Sequence, residues 1–167
     1  PWGGPRITLF NSFFSYTYPS GGCPSPRDPA WAIQLQGPAS EPLTLNWYAT
    51  PLPGSHIQRY RGALDLPTLD DETPRTSQND WYHWSPWSLA TTSATIGGFA
   101  GADGDTGEVH DFYLEAEDTN GLVSLGWIHF RVYRPTFAKD LLIVDDTRFR
   151  VDDIVSTTQR DTLMAPR

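Results

Sequence analysis

The chain has 167 residues, of which 38% are hydrophobic and 13% aromatic, and its net charge is −8. This length accommodates one domain with extensions and is sufficient to bury a core. The aromatic content excludes a disordered chain, and the lack of a long uninterrupted apolar stretch excludes a transmembrane helix. The acidic balance disfavours binding to nucleic acid or to anionic lipid, because both require basic patches.

The first part of the chain combines proline, glycine, serine and aromatic residues. Residues 6–10 predict a strand, whereas the prolines of residues 19–29 predict a loop, because proline cannot donate to a strand ladder. Residues 31–36 alternate apolar and polar side chains, which is typical of a half-buried strand. We therefore expect residues 1–39 to be an N-terminal extension with edge strands.

The middle of the chain predicts further strands separated by turns. Residues 43–49 and 57–64 alternate, with Trp47 facing inward and Tyr60 as an aromatic anchor. Residues 66–80 are polar and contain two prolines, which predicts a long loop. Residues 90–99 predict the next strand.

The clearest predicted element is a hairpin that begins at His110. Its first strand places His110, Phe112, Leu114 and Ala116 on one face, and residues 118–121 supply turn chemistry, because Asn and Gly tolerate positive φ. The return strand is expected to bury Ile128, Phe130 and Val132 and to expose Trp127 and Tyr133. No sustained helical period occurs. About seven short strands with regular turns therefore predict an all-β fold, an antiparallel β-sandwich.

Two segments carry a family resemblance. L-T-L-N-W at 43–47 with I-Q-R-Y at 57–60 resembles strands B and C of a fibronectin type III or immunoglobulin-like domain. F-x-L-x-A-x-D-x-x-G-x-x-S at 112–124 resembles strand F and the F–G hairpin of the same class. With W-S-P-W-S at 84–88, the pattern is similar to modules of large bacterial surface and secreted proteins. The resemblance implies a sandwich over residues 40–135 with extended arms, and an extracytoplasmic location.

His110 stands where fibronectin type III domains carry a corner tyrosine. We expect a neutral imidazole there that makes a similar hydrogen bond to backbone.

The C-terminal residues 136–167 predict a tail or the truncated start of a following domain. K-D-L-L-I-V-D-D at 139–146 resembles the first strand of a flavodoxin-like or receiver-type domain, in which paired acids hold a metal ion. Parallel sheets need long crossovers, so the residues after Asp146 are too few to complete one. We therefore expect a fragment of a longer polypeptide, with truncation or a docked tail rather than a working metal site.

The aromatic run that contains Trp81, Trp84 and Trp87 is the candidate ligand-binding site. Exposed tryptophan faces stack on sugar rings, but side chains that fill the core and cover its edge are the structural alternative, which we favour. Cation–π packing of Trp84 or Trp87 with Arg59 or Arg61 is also expected. W-S-P-W-S occurs in cytokine-receptor and thrombospondin-type modules, but its early position and the lack of cysteines exclude both.

Asp103, Asp105 and Glu108 lie in a glycine-rich turn whose spacing is compatible with structural Ca²⁺, although a solvated acidic turn is the favoured alternative. No nucleophile elbow, zinc pair or phosphate loop is found. Glu115 and Glu117 lie about 7 Å apart on one strand face, a glycosidase-like separation, but outward acids of this kind are usually solvated. We expect no enzymatic activity and no cofactor.

These features predict a non-catalytic structural or interaction module of an exported bacterial protein, which assembles with protein partners. Exposed aromatic side chains and unpaired strand edges are the expected means of binding. The expected partner-binding aromatic residues are Trp2, Trp31, Tyr48, Trp127 and Tyr133. Two alternatives remain: a carbohydrate-binding module that uses exposed Trp and Tyr, and a fragment of a larger multidomain enzyme.

Overall fold

The computed structural model describes residues 3–22, 33–38, 41–102 and 107–134, and within these ranges every regular element is a β-strand. The predicted all-β, Ig/FnIII-like β-sandwich is confirmed. Eight strands form two four-stranded sheets across these residues: β1 Arg6–Phe10, β2 Ser15–Thr17, β3 Ile33–Pro38, β4 Leu43–Thr50, β5 Ile57–Leu64, β6 Ser93–Ile96, β7 Glu108–Asp118 and β8 Val123–Tyr133. No described residue belongs to a helix that could span a membrane. The predicted C-terminal segment, residues 136–167, lies outside the described residues.

The first sheet has the order β2-β1-β4-β6 and the second has the order β3-β8-β7-β5. One described pair departs from the predicted antiparallel arrangement: β3 runs parallel to β8, with Ile33 opposite Ile128. A short hairpin turn forces antiparallel pairing on neighbours in sequence. The strands β3 and β8 are far apart in sequence, so no such turn constrains them.

The alternating residues of the central strands form the core, as predicted. Leu45 and Trp47 of β4 face Phe112 and Leu114 of β7, and all four side chains are buried, as is Phe130 of β8. The Trp47 and Phe112 rings lie 6.0 Å apart with a tilt of 37°. Burial of each such side chain contributes about 1.5–3 kcal/mol, so this interface between the sheets accounts for much of the driving force of folding.

The structure differs from the predicted strands at two places. A short strand, β2, follows a turn in which the Asn11 side-chain oxygen accepts the Phe13 and Phe14 N–H groups at 2.7 and 3.1 Å. No strand was predicted there, because three residues are too few to show alternation. The strand expected over residues 90–99 is shortened to β6. Residues 66–80 contain no strand, as predicted.

The outer edge of β8 is covered along its length. The Tyr18 hydroxyl accepts the Trp127 N–H at 3.0 Å and donates to the Trp127 carbonyl oxygen. Gly22 forms an isolated bridge with Leu125, and β3 pairs from Ile128 onward. Gly22 has a φ of 81°, and a Cβ atom there would collide with the Leu125 backbone, so this approach requires glycine.

The prediction that Trp127 is exposed is wrong. Its side chain is 3% exposed, and its indole N–H donates to the Asp111 carboxylate at 2.9 Å. Tyr113, which lies opposite Trp127 in the register, is also fully buried. Alternation correctly separated the two faces of β8, but at this end of the second sheet the outward face is covered as well.

The bonds between Tyr18 and the backbone of β8 generate a stability prediction. Tyr18→Phe removes the hydroxyl and leaves the buried N–H and C=O of Trp127 without that partner, so we expect the free energy of unfolding to fall by about 2 kcal/mol. Tyr16→Phe, at a half-exposed ring two residues away, is the matched control and should change it by less than about 0.5 kcal/mol. Urea denaturation measures both variants. Equal losses in free energy of unfolding would show that the Tyr18 hydroxyl does not stabilise the edge of β8.

Candidate functional site

The aromatic run lies along the outer edge of β5 like an additional strand. Backbone bonds join Leu64 to Trp81 at 2.5 Å, Ser85 to Gly62 at 2.9 Å, and Tyr60 to Ser88 in both directions at 2.9 Å. The Ser85 hydroxyl reinforces this contact by accepting the Gly62 N–H at 2.9 Å. The segment therefore covers the edge of the second sheet, as the structural alternative predicts.

Guanidinium groups and indole rings alternate on the outer face beside this segment. The Arg61 guanidinium carbon lies 4.4 Å from the Trp84 ring centre and 4.6 Å from that of Trp87. The Arg59 guanidinium carbon lies 4.5 Å from the Trp87 ring centre. These distances are within the range of cation–π attraction, so the expected packing is confirmed. We call Trp84, Arg61, Trp87 and Arg59 the Arg/Trp ladder.

Carboxylates from β7 hold both ladder arginines in place. The Arg61 Nε atom lies 2.5 Å from Glu115 Oε2, and the Arg59 Nη2 atom lies 2.7 Å from Glu117 Oε2. The expectation that these two acids are solvated is wrong, because the β5–β7 register places each directly opposite an arginine. Paired in this way, they serve as anchors for the guanidinium groups.

The three tryptophans of the run have different environments. Trp84 is buried and its indole N–H donates to the Leu69 carbonyl at 3.1 Å. Trp81 is half-buried, packs 6.3 Å from Phe112, and has the Arg75 guanidinium 4.1 Å from its ring centre. Trp87 is also half-buried. One guanidinium group lies over Trp81 and two lie over Trp87, so a sugar could contact only the parts of these rings that the arginines leave open.

Two grooves flank the aromatic run. One, of about 420 Å³, combines acidic, basic and aromatic groups and is lined in part by Arg61, Asp71, Glu72, Trp84 and Trp87. The other, of about 550 Å³, is lined mainly by hydroxyl and amide side chains. Hydrogen bonds from Thr73 and His83 hold the pKa of Asp71 below its ordinary value of 3.8, so the first groove carries a fixed negative charge.

A buried histidine joins three segments at one end of the sandwich. His110 is 6% exposed, with its Nδ1 atom 2.6 Å from Asp65 Oδ2 and its Nε2 atom 3.3 Å from Glu108 Oε1. The rings of Phe99 and Phe130 lie 4.3 and 5.3 Å from the imidazole. Carboxylates only accept hydrogen bonds, so an imidazole between two of them is best matched when both nitrogens carry a proton. We call Asp65, His110 and Glu108 the histidine clasp.

The charge state of the clasp departs from expectation. Burial lowers the pKa of His110, but the hydrogen bonds and charges of Asp65 and Glu108 outweigh it, and the net pKa lies above 6.5. The predicted hydrogen bond to backbone is wrong, because His110 bonds to the Asp65 carboxylate, and the raised pKa favours the protonated imidazole over the predicted neutral one. Asp65 has a left-handed φ of 50° and exchanges hydrogen bonds of 2.7 Å with the backbone of Asp111. This conformation places the Asp65 carboxylate within reach of His110.

Of the predicted metal ligands, only Glu108 lies within the described residues. Its second carboxylate oxygen accepts the Gly101 N–H at 2.6 Å, so both oxygens have protein contacts. Asp103 and Asp105 lie outside the described residues, and the same holds for Trp2, Trp31 and the side chain of Tyr133. The part of the chain that the structure describes contains no cluster of three acidic, histidine or cysteine residues suited to a metal.

Three aromatic side chains of the first sheet and of its β1–β2 turn are exposed instead. Phe13, Tyr16 and Tyr48 are 75%, 40% and 51% exposed, and the rings of Phe10 and Tyr48 lie 6.0 Å apart. Of these three residues, only Tyr48 is expected from the sequence to be exposed. The signal for Phe13 was the asparagine two residues before it, because asparagine side chains bond to the backbone in turns and leave the turn residues in solvent. Tyr16 lies opposite Leu9 in the register and therefore on the core-facing side of the sheet, whereas Tyr48 lies on the outward face with Phe10. We call Phe13 and Tyr48 the exposed aromatic set.

No family model matches this chain, and no curated protein matches it either. Among solved structures, the chain is similar to fibronectin(III)-like modules of CbhA from Clostridium thermocellum. The identity is 8%, the aligned part covers 85% of each chain, and the TM-score is 0.38. The assignment of the sandwich therefore rests on the strand order and registers described above.

The histidine clasp predicts a pH-dependent stability. A pKa raised in the folded state stabilises the fold fully below the unfolded value of 6.5, and this contribution is lost as the pH rises through the folded value. The advantage of the wild type over His110→Gln, in free energy of unfolding, should therefore be largest below pH 6.5 and shrink above it. His56→Gln, at an exposed histidine, is the control and should leave the pH profile unchanged. If the difference in free energy of unfolding between the wild type and His110→Gln stays the same below and above pH 6.5, the histidine clasp is not charged.

The Arg/Trp ladder makes a separate stability prediction. Arg61→Gln removes the ion pair with Glu115 and the guanidinium between Trp84 and Trp87, so we expect a loss of about 1–2 kcal/mol. Chemical denaturation measures it, and a red-shifted tryptophan emission would report loosening of the segment. Arg6→Gln, at an exposed arginine of β1, should cost less than about 0.5 kcal/mol. Equal losses in the two variants would show that the ladder contributes no specific stability.

Proposed function

We propose that this chain is a non-catalytic structural and interaction module that docks onto protein partners in a larger assembly. The observation that carries the proposal is the exposed aromatic set. Tyr48 forms an outward-facing aromatic pair with Phe10, and Phe13 is exposed in the turn that follows β1. Exposed aromatic side chains are typical of binding surfaces, and tyrosine is enriched among the residues that dominate binding energy.

The exposed aromatic set is presented on well-fixed backbone. Phe13 lies in the turn that the Asn11 side chain closes, and Tyr48 lies on β4, which is paired on both sides. Groups held rigidly before binding lose little conformational freedom on association. Around Tyr48, the outward positions of β4 are the uncharged polar residues Thr44, Asn46 and Thr50, and Arg6 of β1, opposite Thr50, adds one positive charge to this face. These properties favour a protein partner whose contact surface carries few charges.

The proposal also covers the cellular location of the protein and the segments that flank the sandwich. The resemblance of residues 40–135 to modules of bacterial surface and secreted proteins favours an exported, extracytoplasmic protein. In this view residues 1–39 add the inner strand β1, the edge strands β2 and β3 and a docking arm, and residues 136–167 form a tail or lead into a further domain. The module works through surface complementarity, without a cofactor.

A carbohydrate-binding role is the second candidate, and the 420 Å³ groove favours it. The groove combines the half-buried Trp87 ring with the carboxylates of Asp71 and Glu72 and the guanidinium of Arg61. An aromatic face beside convergent polar groups is the usual composition of a small-ligand site. In this candidate, sugar hydroxyls would bond to the acids while the sugar contacts the part of the Trp87 ring that Arg59 and Arg61 leave open.

Surface plasmon resonance tests the docking function directly. The immobilised chain is exposed to purified proteins encoded by neighbouring genes. The double variant Phe13→Ser and Tyr48→Ser should weaken the strongest of these interactions at least about tenfold. Leu122→Ser, at a similarly exposed side chain of the β7–β8 turn, should leave it unchanged.

A glycan array run in parallel separates the two candidates. The proposed docking function fails if no protein binds, or if the double variant binds as tightly as Leu122→Ser. Glycan binding that Trp87→Ala abolishes would transfer the assignment to the carbohydrate-binding role.

A further inference from the structure

The outer edge of β6 presents backbone groups with no partner among the described residues. The Trp47 N–H donates to the Thr92 carbonyl at 3.0 Å, and the register continues with Ser93 opposite Asn46. Hydrogen-bonded and non-hydrogen-bonded pairs alternate along an antiparallel ladder, so Ala94 is bonded to β4 while Ser93 and Thr95 point their N–H and C=O groups away from it. These two residues are therefore ready to pair with a further strand.

Of the other three sheet edges, those of β5 and β2 lack the same combination. The edge of β5 is covered by residues 81–88. The open edge of β2 is only three residues long, and all three are exposed. The edge of β6, in contrast, borders two cavities: Ser93 lines the 550 Å³ groove, and Thr95 lines a second one of about 260 Å³. Trp81 lines both, so they adjoin along the same edge.

The composition of the larger groove indicates what it would accept. Its one charged lining residue is Arg75, whose guanidinium lies over Trp81 and donates to the carbonyls of Gly62, Gln78 and His83. Arg75 is therefore already committed within the chain. The other lining groups are mainly neutral hydroxyls and an amide, which hydrogen-bond small polar side chains without imposing a charge. The lining residues of this kind are Thr76, Ser77, Gln78, Ser85, Ser88 and Thr91.

We propose that an extended segment of a partner protein adds to the first sheet as a new strand beside β6, bonded to the backbone of Ser93 and Thr95. Residues two apart on a strand are separated by about 7 Å, and an extended backbone presents donors and acceptors at the same spacing. The segment carries small uncharged polar side chains toward the hydroxyl groups and one apolar side chain toward Trp81. This inference rests on the proposed docking function and specifies one site and one binding mode for it.

A proline substitution tests the backbone bonds. The probe is a linear peptide selected on the whole chain from a phage-displayed random library and then synthesised. Thr95→Pro removes the outward N–H without removing a bond to β4, and proline is tolerated at such edge positions. Thr95→Ala is the matched control, because both variants lose the 3.2 Å contact with the Thr44 hydroxyl. We expect Thr95→Pro to bind at least about tenfold more weakly than the wild type, and Thr95→Ala to bind within about twofold of it.

Hydrogen exchange provides a readout that needs no variant. In the free chain, the amides of Ser93 and Thr95 should exchange fast and those of Ala94 and Ile96 slowly; adding the peptide should slow the first pair. Equal binding by Thr95→Pro and Thr95→Ala, protection at other amides only, or a self-dimer paired through β6 would each overturn the inference. The docking function survives that result if the double variant of Phe13 and Tyr48 still weakens protein binding, and fails with it if no protein or peptide binds.

Discussion

The architecture depends on how the backbone groups at the sheet edges find partners. A strand edge that lacks partners exposes a row of backbone N–H and C=O groups. These groups lower stability when they are buried without partners, and in solvent they can pair with the edge of another chain and cause aggregation. In the second sheet, Tyr18 and β3 supply partners for the free side of β8, so that β3 becomes the outermost strand, and the aromatic run beginning at Trp81 covers the free side of β5. Neither cover is a neighbour in sequence of the strand that it protects. The long connections of the chain are therefore parts of the sheet rather than passive links.

Charged side chains hold these covers in place. The Arg/Trp ladder stacks the aromatic run onto β5, and the ion pairs with Glu115 and Glu117 fix the guanidinium groups from β7. Ion pairs near a surface contribute little alone, but here each arginine also covers an indole face, so packing and charge act on the same group. The histidine clasp has a similar role at one end of the sandwich, where it joins the residue that follows β5 to the start of β7.

Local patterns predicted the core well, because alternation reports which face of a strand each residue occupies. Trp47 and Phe112 were placed correctly on this basis, and the contact between arginines and tryptophans followed from residue type and proximity. The burial of Trp127 and the two carboxylates around His110 were not predicted, because they depend on which distant segments lie together: Asp65 reaches His110 only through the β5–β7 register. The open edge of β6 belongs to the same class, since the sequence of a strand does not show whether a neighbour covers it.

Residues 76–81 and 85–88 form a wall across the grooves from β6, and this wall determines which kind of partner can pair with the β6 edge. A flat edge in open solvent accepts any other sheet edge, including that of a second copy. Here residues 76–81 and 85–88 stand across the grooves from β6, and Arg75 ties them to the carbonyl of Gly62 in β5. A whole sheet would have to displace this wall, whereas one extended segment needs only the width between the wall and the edge. The short length of β6 further limits pairing to a few bonds, so side-chain contacts with the hydroxyl groups and Trp81 would decide which segment binds.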